Sequence, residues 1–262
     1  MAQNNSVMTP VTVSAVSYLN TVPFLHGLKQ SAIDKAIRLS LAPPAESAAL
    51  FEAGQTDVSL LPVAAIPHLS SCHFISDYCI GASAAVRTVV LLSNTPLPDM
   101  HTVYLDPHSR TSVLLVQILA GRYWNIRPAF LPLDPSLLPL KTGEGCVLIG
   151  DKVFDHETQY TFRYDLAEAW LRFTGKPFVF AAWVSREKLP AGFLLSFNEA
   201  LRYGVTHIGE AIAAEAARFD AALAAGYLTH NIDYAFDEAK RQGMELFWQY
   251  LAHGAVPKSV NL

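Results

Sequence analysis

Charged residues are scarce in this chain of 262 residues: Asp, Glu, Lys and Arg together make up 16%, whereas hydrophobic residues make up 51%. Disordered chains have the opposite balance, so the composition predicts a globular protein of one large or two modest domains. Neither sign of charge dominates, because 19 Lys and Arg stand against 23 Asp and Glu, for a formal net charge of −4. Without a basic excess, we expect no nucleic-acid partner.

Long hydrophobic runs are also missing. The longest apolar stretches, such as residues 86–92, are interrupted by charges such as Arg87 and are far too short to span a bilayer. Residues 1–5 are polar and lack the basic start and the apolar core of a secretory signal. We therefore expect a cytoplasmic protein with no membrane partner. The sequence leaves the oligomeric state open.

Cysteine is rare. Cys72, Cys79 and Cys146 are an odd number of scattered residues, which favours buried, reduced thiols over disulfides or a zinc site. The nine histidines are scattered as well, and none has the spacing of a metal ligand with a carboxylate partner. We expect neither a metal ion nor a cofactor.

The apolar pattern that is present predicts an α/β fold. Short β-branched runs alternate with helical stretches in two successive β-α-β units, which is typical of parallel sheets with crossover helices. The first unit has predicted strands at 11–16, 38–42 and 57–63 and helices at 23–28 and 45–53. Two strands at 74–76 and 85–92 come next, with no helix between them. After a linker-like stretch at 94–98, the second unit has strands at 102–105, 129–131 and 147–151 and a helix at 112–123. A helix near 165–173, a strand at 178–184 and a helical region from 190 onward complete the chain.

The simplest architecture for this order is two α/β lobes joined by two crossings of the chain. We predict lobe I at 1–93 plus 184–262 and lobe II at 94–183, with the C-terminal helices packed on lobe I. A ligand cleft then lies between the lobes, because ligands of such sheets bind at the carboxyl ends of the strands. The apolar stripes of the C-terminal helices predict core packing, and we assign them no chemistry.

A strand-to-helix turn at residues 109–112 is a candidate anion site. The unpaired N–H groups of the first helical turn point at one spot there, and the helix dipole favours negative charge. The hydroxyls of Ser109, Thr111 and Ser112 can cap the helix or bind an oxyanion. The planar guanidinium of Arg110 suits a carboxylate or a phosphate. The structural alternative is a helix cap with a surface arginine, and the turn alone favours neither interpretation.

Polar residues also occur at the predicted ends of other strands. Ser17 and Asn20 follow the first strand, Arg87 and Thr88 lie in the strand at 85–92, and Asp151 ends a later strand. Several such turns at one edge are stronger evidence for a ligand site than any single turn. Each has a structural alternative: Asn20 can cap the next helix, Arg87 can be a solvated charge, and Asp151 can cap a helix.

Five short motifs follow one another along the chain. They are SYLNTVPF (17–24), DVSLLPV (57–63), SRTSV (109–113), IGD (149–151), and a late signature of DLAEAW (165–170) with TGKPFVFAAW (174–183). In order and spacing they resemble the motifs of the chorismate dehydratases of the futalosine route to menaquinone. The resemblance covers roughly residues 11–250, nearly the whole chain.

The resemblance implies a periplasmic-binding-protein-like fold of the second type and the removal of water from chorismate to give 3-[(1-carboxyvinyl)oxy]benzoate. It also implies active-site roles for Asn20 and for Thr88. Where the family usually has Gly-Pro-Val-x-Ser, this chain has AAVRT at 84–88, so Thr88 keeps the hydroxyl of the family's active-site serine and adds a methyl group.

Chorismate carries two carboxylates, so we expect two anion sites: one at Ser109, Arg110, Thr111 and Ser112, and another to which Arg87 contributes. No motif position offers an obvious general base. His26 lies within a predicted helix, and Asp151 can equally be a cap. We therefore hypothesise that the enolpyruvyl carboxylate of the substrate takes the proton while the protein positions the substrate.

Two other functions remain open at this stage. The first is a non-catalytic cytoplasmic binding protein or sensor for a small aromatic or dicarboxylate ligand, because two-lobe folds of this kind are mostly receptors. The second is an enzyme of a neighbouring step of the same pathway that shares the fold.

Overall fold

The computed structural model describes residues 10–254. The polar residues 1–5, on which the expectation of no secretory signal is based, lie outside the described residues. No helix of the described part is long and apolar enough to cross a bilayer. The cysteines are free: Cys79 and Cys146 are buried, and Cys72 is half-buried.

The strands of the described residues form two separate sheets. In chain order they are β1 (Val11–Val16), β2 (Ile37–Ala42), β3 (Val58–Pro62), β4 (His73–Ala82), β5 (Val89–Ser93), β6 (Thr102–Leu105), β7 (Ala129–Pro132), β8 (Glu144–Ile149), β9 (Phe162–Asp165), β10 (Phe178–Ser185) and β11 (Asp233–Ala235). The first sheet has the strand order β11-β4-β10-β3-β1-β2, and the second has β7-β6-β8-β5-β9.

The α-helices connect and cover these strands. In chain order they are α1 (Val22–Gln30), α2 (Pro44–Glu52), α3 (Thr111–Arg122), α4 (Val153–His156), α5 (Leu166–Thr174), α6 (Ala191–Thr206), α7 (Ile208–Ala214), α8 (Ala221–His230) and α9 (Glu238–Ala252). Local chemistry explains several of their ends. Asp165 caps α5 by accepting the N–H groups of Ala167 and Glu168, and α5 ends at Gly175 with a φ of 70°.

The two β-α-β units form as predicted. β1 pairs in parallel with both β2 and β3, and β6 pairs in parallel with both β7 and β8. The carboxyl ends of β1 and β3 therefore meet at one edge of the first sheet, and those of β6 and β8 meet at one edge of the second. The turns that follow these strands carry most of the predicted site residues.

Two strands differ from the predicted lobe division of 1–93 plus 184–262 and 94–183. β5 belongs to the second sheet, where it pairs antiparallel with β8 and β9. β10 belongs to the first, where it lies antiparallel between β3 and β4. All residues of both strands are buried. A strand that is buried on both faces has no polar alternation to show which sheet it joins.

The C-terminal region also departs from the helical prediction. The short strand β11 interrupts it and pairs with β4 at the edge of the first sheet. Asp237 then caps α9 by accepting the N–H of Lys240, so that the helix begins only after the strand. In this region α6 packs on α1 and β4, and α9 packs on β10.

One large apolar core joins the two sheets, and a smaller one covers the far face of the second sheet. Alternate residues of β5 divide between them: Val89 and Leu91 lie in the large core, and Val90 and Leu92 lie in the small one. This alternation is the expected result of the two-residue period of a strand.

Helices α1 and α6 approach so closely that their backbones nearly touch. A Cβ atom added at Gly204 would lie 1.8 Å from the carbonyl oxygen of Pro23, and one added at Gly27 would lie 1.9 Å from that of Ala200. Because α1 directly follows the Asn20 turn, this contact fixes the helix that continues from one edge of the site.

We expect Gly204→Ala to lower the free energy of unfolding by about 1–3 kcal/mol, because the added methyl group must push the two helix backbones apart. Gly192→Ala is the matched control, since Gly192 lies in the same helix with nothing within 4 Å of an added Cβ. The free energy of unfolding of Gly192→Ala should equal that of the parent or exceed it by about 0.5 kcal/mol. Urea unfolding of both variants gives the comparison, and equal stabilities would contradict the close approach.

Candidate active site

A cavity lies where the turns of the two sheets face each other. The empty space within it is about 570 Å³ when its open mouth is included. The lining comes from both sheets and is mainly apolar, with a few polar groups. It consists of Val16, Tyr18, Asn20, Thr21, Pro44, Leu60, Pro62, Ile80, Val86, Thr88, Val89, Ser109, Arg110, Thr111, Ser112, Ile149, Gly150, Phe180 and Ala181.

The predicted anion turn reaches this cavity. Ser109, Arg110, Thr111 and Ser112 all line it, at the N-terminus of the twelve-residue helix α3. The hydroxyl of Ser109 accepts the N–H of Ser112 at 3.1 Å, which shapes the turn. The first N–H groups of α3 and its positive dipole end therefore lie beside the cavity, together with a guanidinium.

The side chains of this turn are not equivalent. Arg110 pairs with Glu52 at 2.9 Å, and both side chains are partly exposed, so an anionic ligand would compete with a weakly held partner. The hydroxyl of Thr111 donates to the carbonyl of Phe180 at 3.2 Å and accepts the N–H of Ala64 at 3.3 Å. Thr111 therefore ties α3 to the first sheet, which leaves Arg110, the helix N–H groups and the two serines to meet a ligand.

The Asn20 turn forms the opposite wall. A short 3-10 helix, Leu19–Thr21, follows β1, and the hydroxyl of Thr21 donates to the carbonyl of Tyr18 at 2.7 Å. The hydroxyl of Tyr234 donates to the backbone carbonyl of Asn20 at 2.9 Å. The N-cap residue of α1 is Thr21 and not Asn20, and Asn20 lines the cavity. The geometry thus favours the site role of Asn20 over the role of a helix cap.

Asp151 holds the Asn20 turn without entering the cavity. Its two carboxylate oxygens accept the N–H of Leu19 at 3.0 and 3.1 Å, which joins the turn after β8 to the turn after β1. Burial raises the pKa of Asp151, and the hydrogen bond from Leu19 and the positive charge of Arg218 act in the opposite direction. Asp151 is absent from the cavity lining, so the structure gives it a bridging position in place of direct ligand contact.

The side chain of Arg87 also has partners outside the cavity. Its guanidinium pairs with Glu157 at 2.9 Å and lies over the ring of Phe154, 5.1 Å from the centroid, and Arg87 is not part of the cavity lining. Its backbone has a φ of 69°, and its N–H donates to Asp165 at 2.7 Å. The strand prediction at this position was wrong because β5 begins only at Val89. The expected second cationic site is therefore not formed by Arg87.

Ser17 also lies outside the cavity lining. Its backbone carbonyl accepts a hydrogen bond from Arg218 at 3.4 Å. Of the nine site residues predicted from sequence, Asn20, Thr88, Ser109, Arg110, Thr111 and Ser112 come together at the cavity. Ser17, Arg87 and Asp151 do not.

Thr88 has a partner that the sequence did not reveal. Its hydroxyl lies 2.6 Å from the phenol oxygen of Tyr227, and both residues are buried. Tyr227 belongs to α8, in the C-terminal helical region to which the sequence analysis assigned no chemistry. No local pattern could find this pair, because the two residues are 139 positions apart in the chain.

Few groups at the cavity can carry or exchange a proton. Among the described residues that line it there is no Asp, Glu, His or Lys, and the ionisable ones are Arg110 and Tyr18. Burial raises the pKa of Tyr18, and the negative charges of Asp106 and Asp151 raise it further. Tyr18 is therefore neutral near pH 7 and acts as a hydrogen-bond donor or acceptor. The described residues contain no cluster of His, Cys, Asp or Glu that could hold a metal ion.

Comparison with solved structures defines the class of this fold. Protein AF1704 from Archaeoglobus fulgidus superposes with a TM-score of 0.73 at 13% identity, over 94% of this chain and 98% of that one. The alkanesulfonate-binding protein SsuA from Xanthomonas axonopodis pv. citri, bound to MOPS, gives 0.66 at 13% identity, over 96% and 95%. The Candida albicans CA3427 gene product, described as having the generic periplasmic binding protein fold, gives 0.62 at 12% identity, over 97% and 92%. The predicted periplasmic-binding-protein-like fold is thus confirmed.

The family follows from the sequence match. A family model for menaquinone (vitamin K2) biosynthesis matches residues 11–253, so the chain belongs to the menaquinone biosynthesis family. This confirms the resemblance found in the five motifs at the level of the family. Fold and family together indicate a small-molecule ligand.

We expect Asp151→Ala to lower the free energy of unfolding by about 1–3 kcal/mol, because the N–H of Leu19 loses a charged acceptor in a partly buried place. Asp155→Ala is the control: Asp155 is an exposed carboxylate close by, and its loss should change stability by less than about 0.5 kcal/mol. Thermal and urea unfolding measure both effects. If the two variants were equally stable, Asp151 would not bridge the two turns.

Proposed function

We propose that this protein is a chorismate dehydratase, which removes water from chorismate to give 3-[(1-carboxyvinyl)oxy]benzoate. The observation that carries the proposal is the asymmetry of the cavity. A helix N-terminus with Arg110 forms one wall, the Asn20 amide and the Thr88 hydroxyl line another part, and the described lining holds no carboxylate, histidine or lysine. Membership of the menaquinone biosynthesis family supports the same reaction.

In this proposal the ring carboxylate of chorismate binds at the N-terminus of α3. The N–H groups of the first turn, the hydroxyl of Ser112 and the guanidinium of Arg110 suit a carboxylate. When the C3 proton leaves, the electron pair is conjugated with this carboxylate through the C1–C2 double bond. Positive groups at that point stabilise the charge that develops in the transition state.

The enolpyruvyl carboxylate then takes the C3 proton. The position of Arg87 outside the cavity supports this role, because a carboxylate that is paired with a cation has a lowered pKa and is a weaker base. A carboxylate held by neutral donors in a mainly apolar cavity remains basic and close to the proton. No protein base is then required.

Loss of the C4 hydroxyl completes the reaction. The C4–O bond breaks, the electron pair from C3 completes the aromatic ring, and the leaving hydroxide recovers a proton, so that the net loss is one water. We assign to Asn20 and Thr88 the hydrogen bonds that orient the C4 hydroxyl and stabilise its developing negative charge.

Incubation of the purified protein with chorismate, followed by ultraviolet absorbance and mass spectrometry, tests the proposal. We expect a product lighter by one water. Arg110→Ala should weaken chorismate binding about tenfold or more, and Asn20→Ala should lower kcat about 100-fold. Arg87→Ala is the matched arginine control and should leave the KM for chorismate within about threefold, since Arg87 lies outside the cavity lining.

Tight binding of chorismate without turnover would instead favour a non-catalytic binding protein. That alternative has support in the fold, which is shared with an alkanesulfonate-binding protein. A neighbouring pathway enzyme would neither convert chorismate nor bind it tightly.

The same assay identifies the base. We expect Asp151→Asn to keep at least about a tenth of the parent kcat, because an amide oxygen still accepts the N–H of Leu19 and no proton passes through this residue. Abolished turnover with unchanged affinity for chorismate would make Asp151 the base and would contradict the role of the substrate carboxylate.

A further inference from the structure

We propose that Tyr227 is a positioning residue of this reaction, whose phenol holds the Thr88 hydroxyl in the orientation that meets the substrate. The inference deepens the proposed function and rests on it for its effect on rate. It assigns a role to a residue that the sequence analysis did not single out.

The hydrogen bond between Thr88 and Tyr227 is short and buried. The phenol oxygen of Tyr227 lies 2.6 Å from the hydroxyl oxygen of Thr88, and the two residues are 0% and 1% exposed. Short O–H···O bonds in a low-dielectric interior are stronger than those in water, and a buried hydroxyl without a partner is costly. The pair is therefore expected to persist throughout the catalytic cycle.

The bond crosses between the two sheets. Thr88 precedes β5 of the second sheet, whereas Tyr227 lies on α8, which packs against α7 and the Asn20 turn next to β1 of the first. The ring of Tyr227 is held in turn by Phe154, edge-on at 5.4 Å between centroids. Thr88 therefore receives its orientation from outside its own sheet.

Such an anchor matters because a threonine hydroxyl is a rotor. It has one proton and two lone pairs, and without a partner it distributes its proton among staggered positions. Bonding to Tyr227 occupies one of these directions and leaves the others available to a ligand in the cavity that Thr88 lines. Tyr227 is neutral, because burial raises its pKa, an effect that the hydrogen bond with Thr88 opposes.

A second buried tyrosine in the same region shows the difference in role. The hydroxyl of Tyr234 donates to the backbone carbonyl of Asn20, so Tyr234 shapes the turn. Tyr227 instead bonds the side chain of Thr88. Each of the two residues to which the family resemblance assigns active-site roles therefore has a buried tyrosine as partner: Tyr234 at the backbone of Asn20, and Tyr227 at the side chain of Thr88.

A double-mutant cycle tests the proposal. Tyr227→Phe removes only the hydroxyl, and we expect kcat to fall about tenfold with KM for chorismate nearly unchanged. In a Thr88→Val background, which keeps the shape of Thr88 without its hydroxyl, the same substitution should cause no further loss. A similar loss in both backgrounds, or none in the parent, would overturn the role of Tyr227.

Two further variants serve as controls for the effect of the Tyr227 hydroxyl. Tyr104→Phe is the control, since Tyr104 is also buried and bonds a side chain, Glu144, in the smaller core. It should keep the parent kcat and KM. Thr88→Ser retains the hydroxyl for Tyr227, so its kcat should stay within about threefold of the parent. A loss as large as that of Thr88→Val would contradict the proposal.

A crystal structure of Tyr227→Phe separates this proposal from the proposed function. If the parent protein did not convert chorismate, the function would fail while the positioning role could still be read from the coordinates. We expect the Thr88 side chain to leave its present rotamer or to occupy two. An unchanged single rotamer at Thr88 would show that Tyr227 does not orient it.

Discussion

Buried carboxylates that accept backbone N–H groups hold the rim of the cavity in place. Asp165 accepts the N–H groups of Val86, Arg87, Ala167 and Glu168, which ties the segment before β5 to the start of α5. Asp151 accepts the N–H of Leu19 in the same way, and so joins the turn after β8 to the turn after β1. Asp106, which is fully buried, accepts the N–H of Ile149 and forms an ion pair with Lys152. Charge-assisted bonds of this kind are among the stronger hydrogen bonds in proteins.

This use of carboxylates has a chemical consequence. Asp151, Asp165 and Asp106 are held by backbone N–H groups, and none of them lines the cavity. The described lining therefore has one cation and several neutral donors but no carboxylate. In the proposed function, a dicarboxylate bound in this cavity has a cation beside one of its two ends only. The end beside Arg110 is stabilised as an anion, while the other stays basic. In the proposed reaction, the scaffold thereby makes one of two chemically similar carboxylates the electron sink and the other the proton acceptor.

The sequence revealed the parts of this arrangement that depend on local pattern. The parallel units and the 109–112 turn follow from strand and helix periodicity, and the motifs pointed to the family. Long-range partners decided the rest. The backbone N–H of Arg87 bonds to Asp165, 78 residues away, and its guanidinium pairs with Glu157, 70 residues away. The Thr88 hydroxyl contacts Tyr227 across 139 residues. β5 and β10 are buried on both faces, so their patterns carry no sign of the sheet they join.

The orientation of the substrate tests the central claim most directly. A crystal structure with the product 3-[(1-carboxyvinyl)oxy]benzoate bound would show it. The account predicts the ring carboxylate at the N-terminus of α3 beside Arg110, with the enolpyruvyl carboxylate near ring carbon C3 and no cation beside it. The reverse orientation, with the enolpyruvyl carboxylate beside Arg110, would contradict the account. So would an Asp or Glu oxygen in contact with C3.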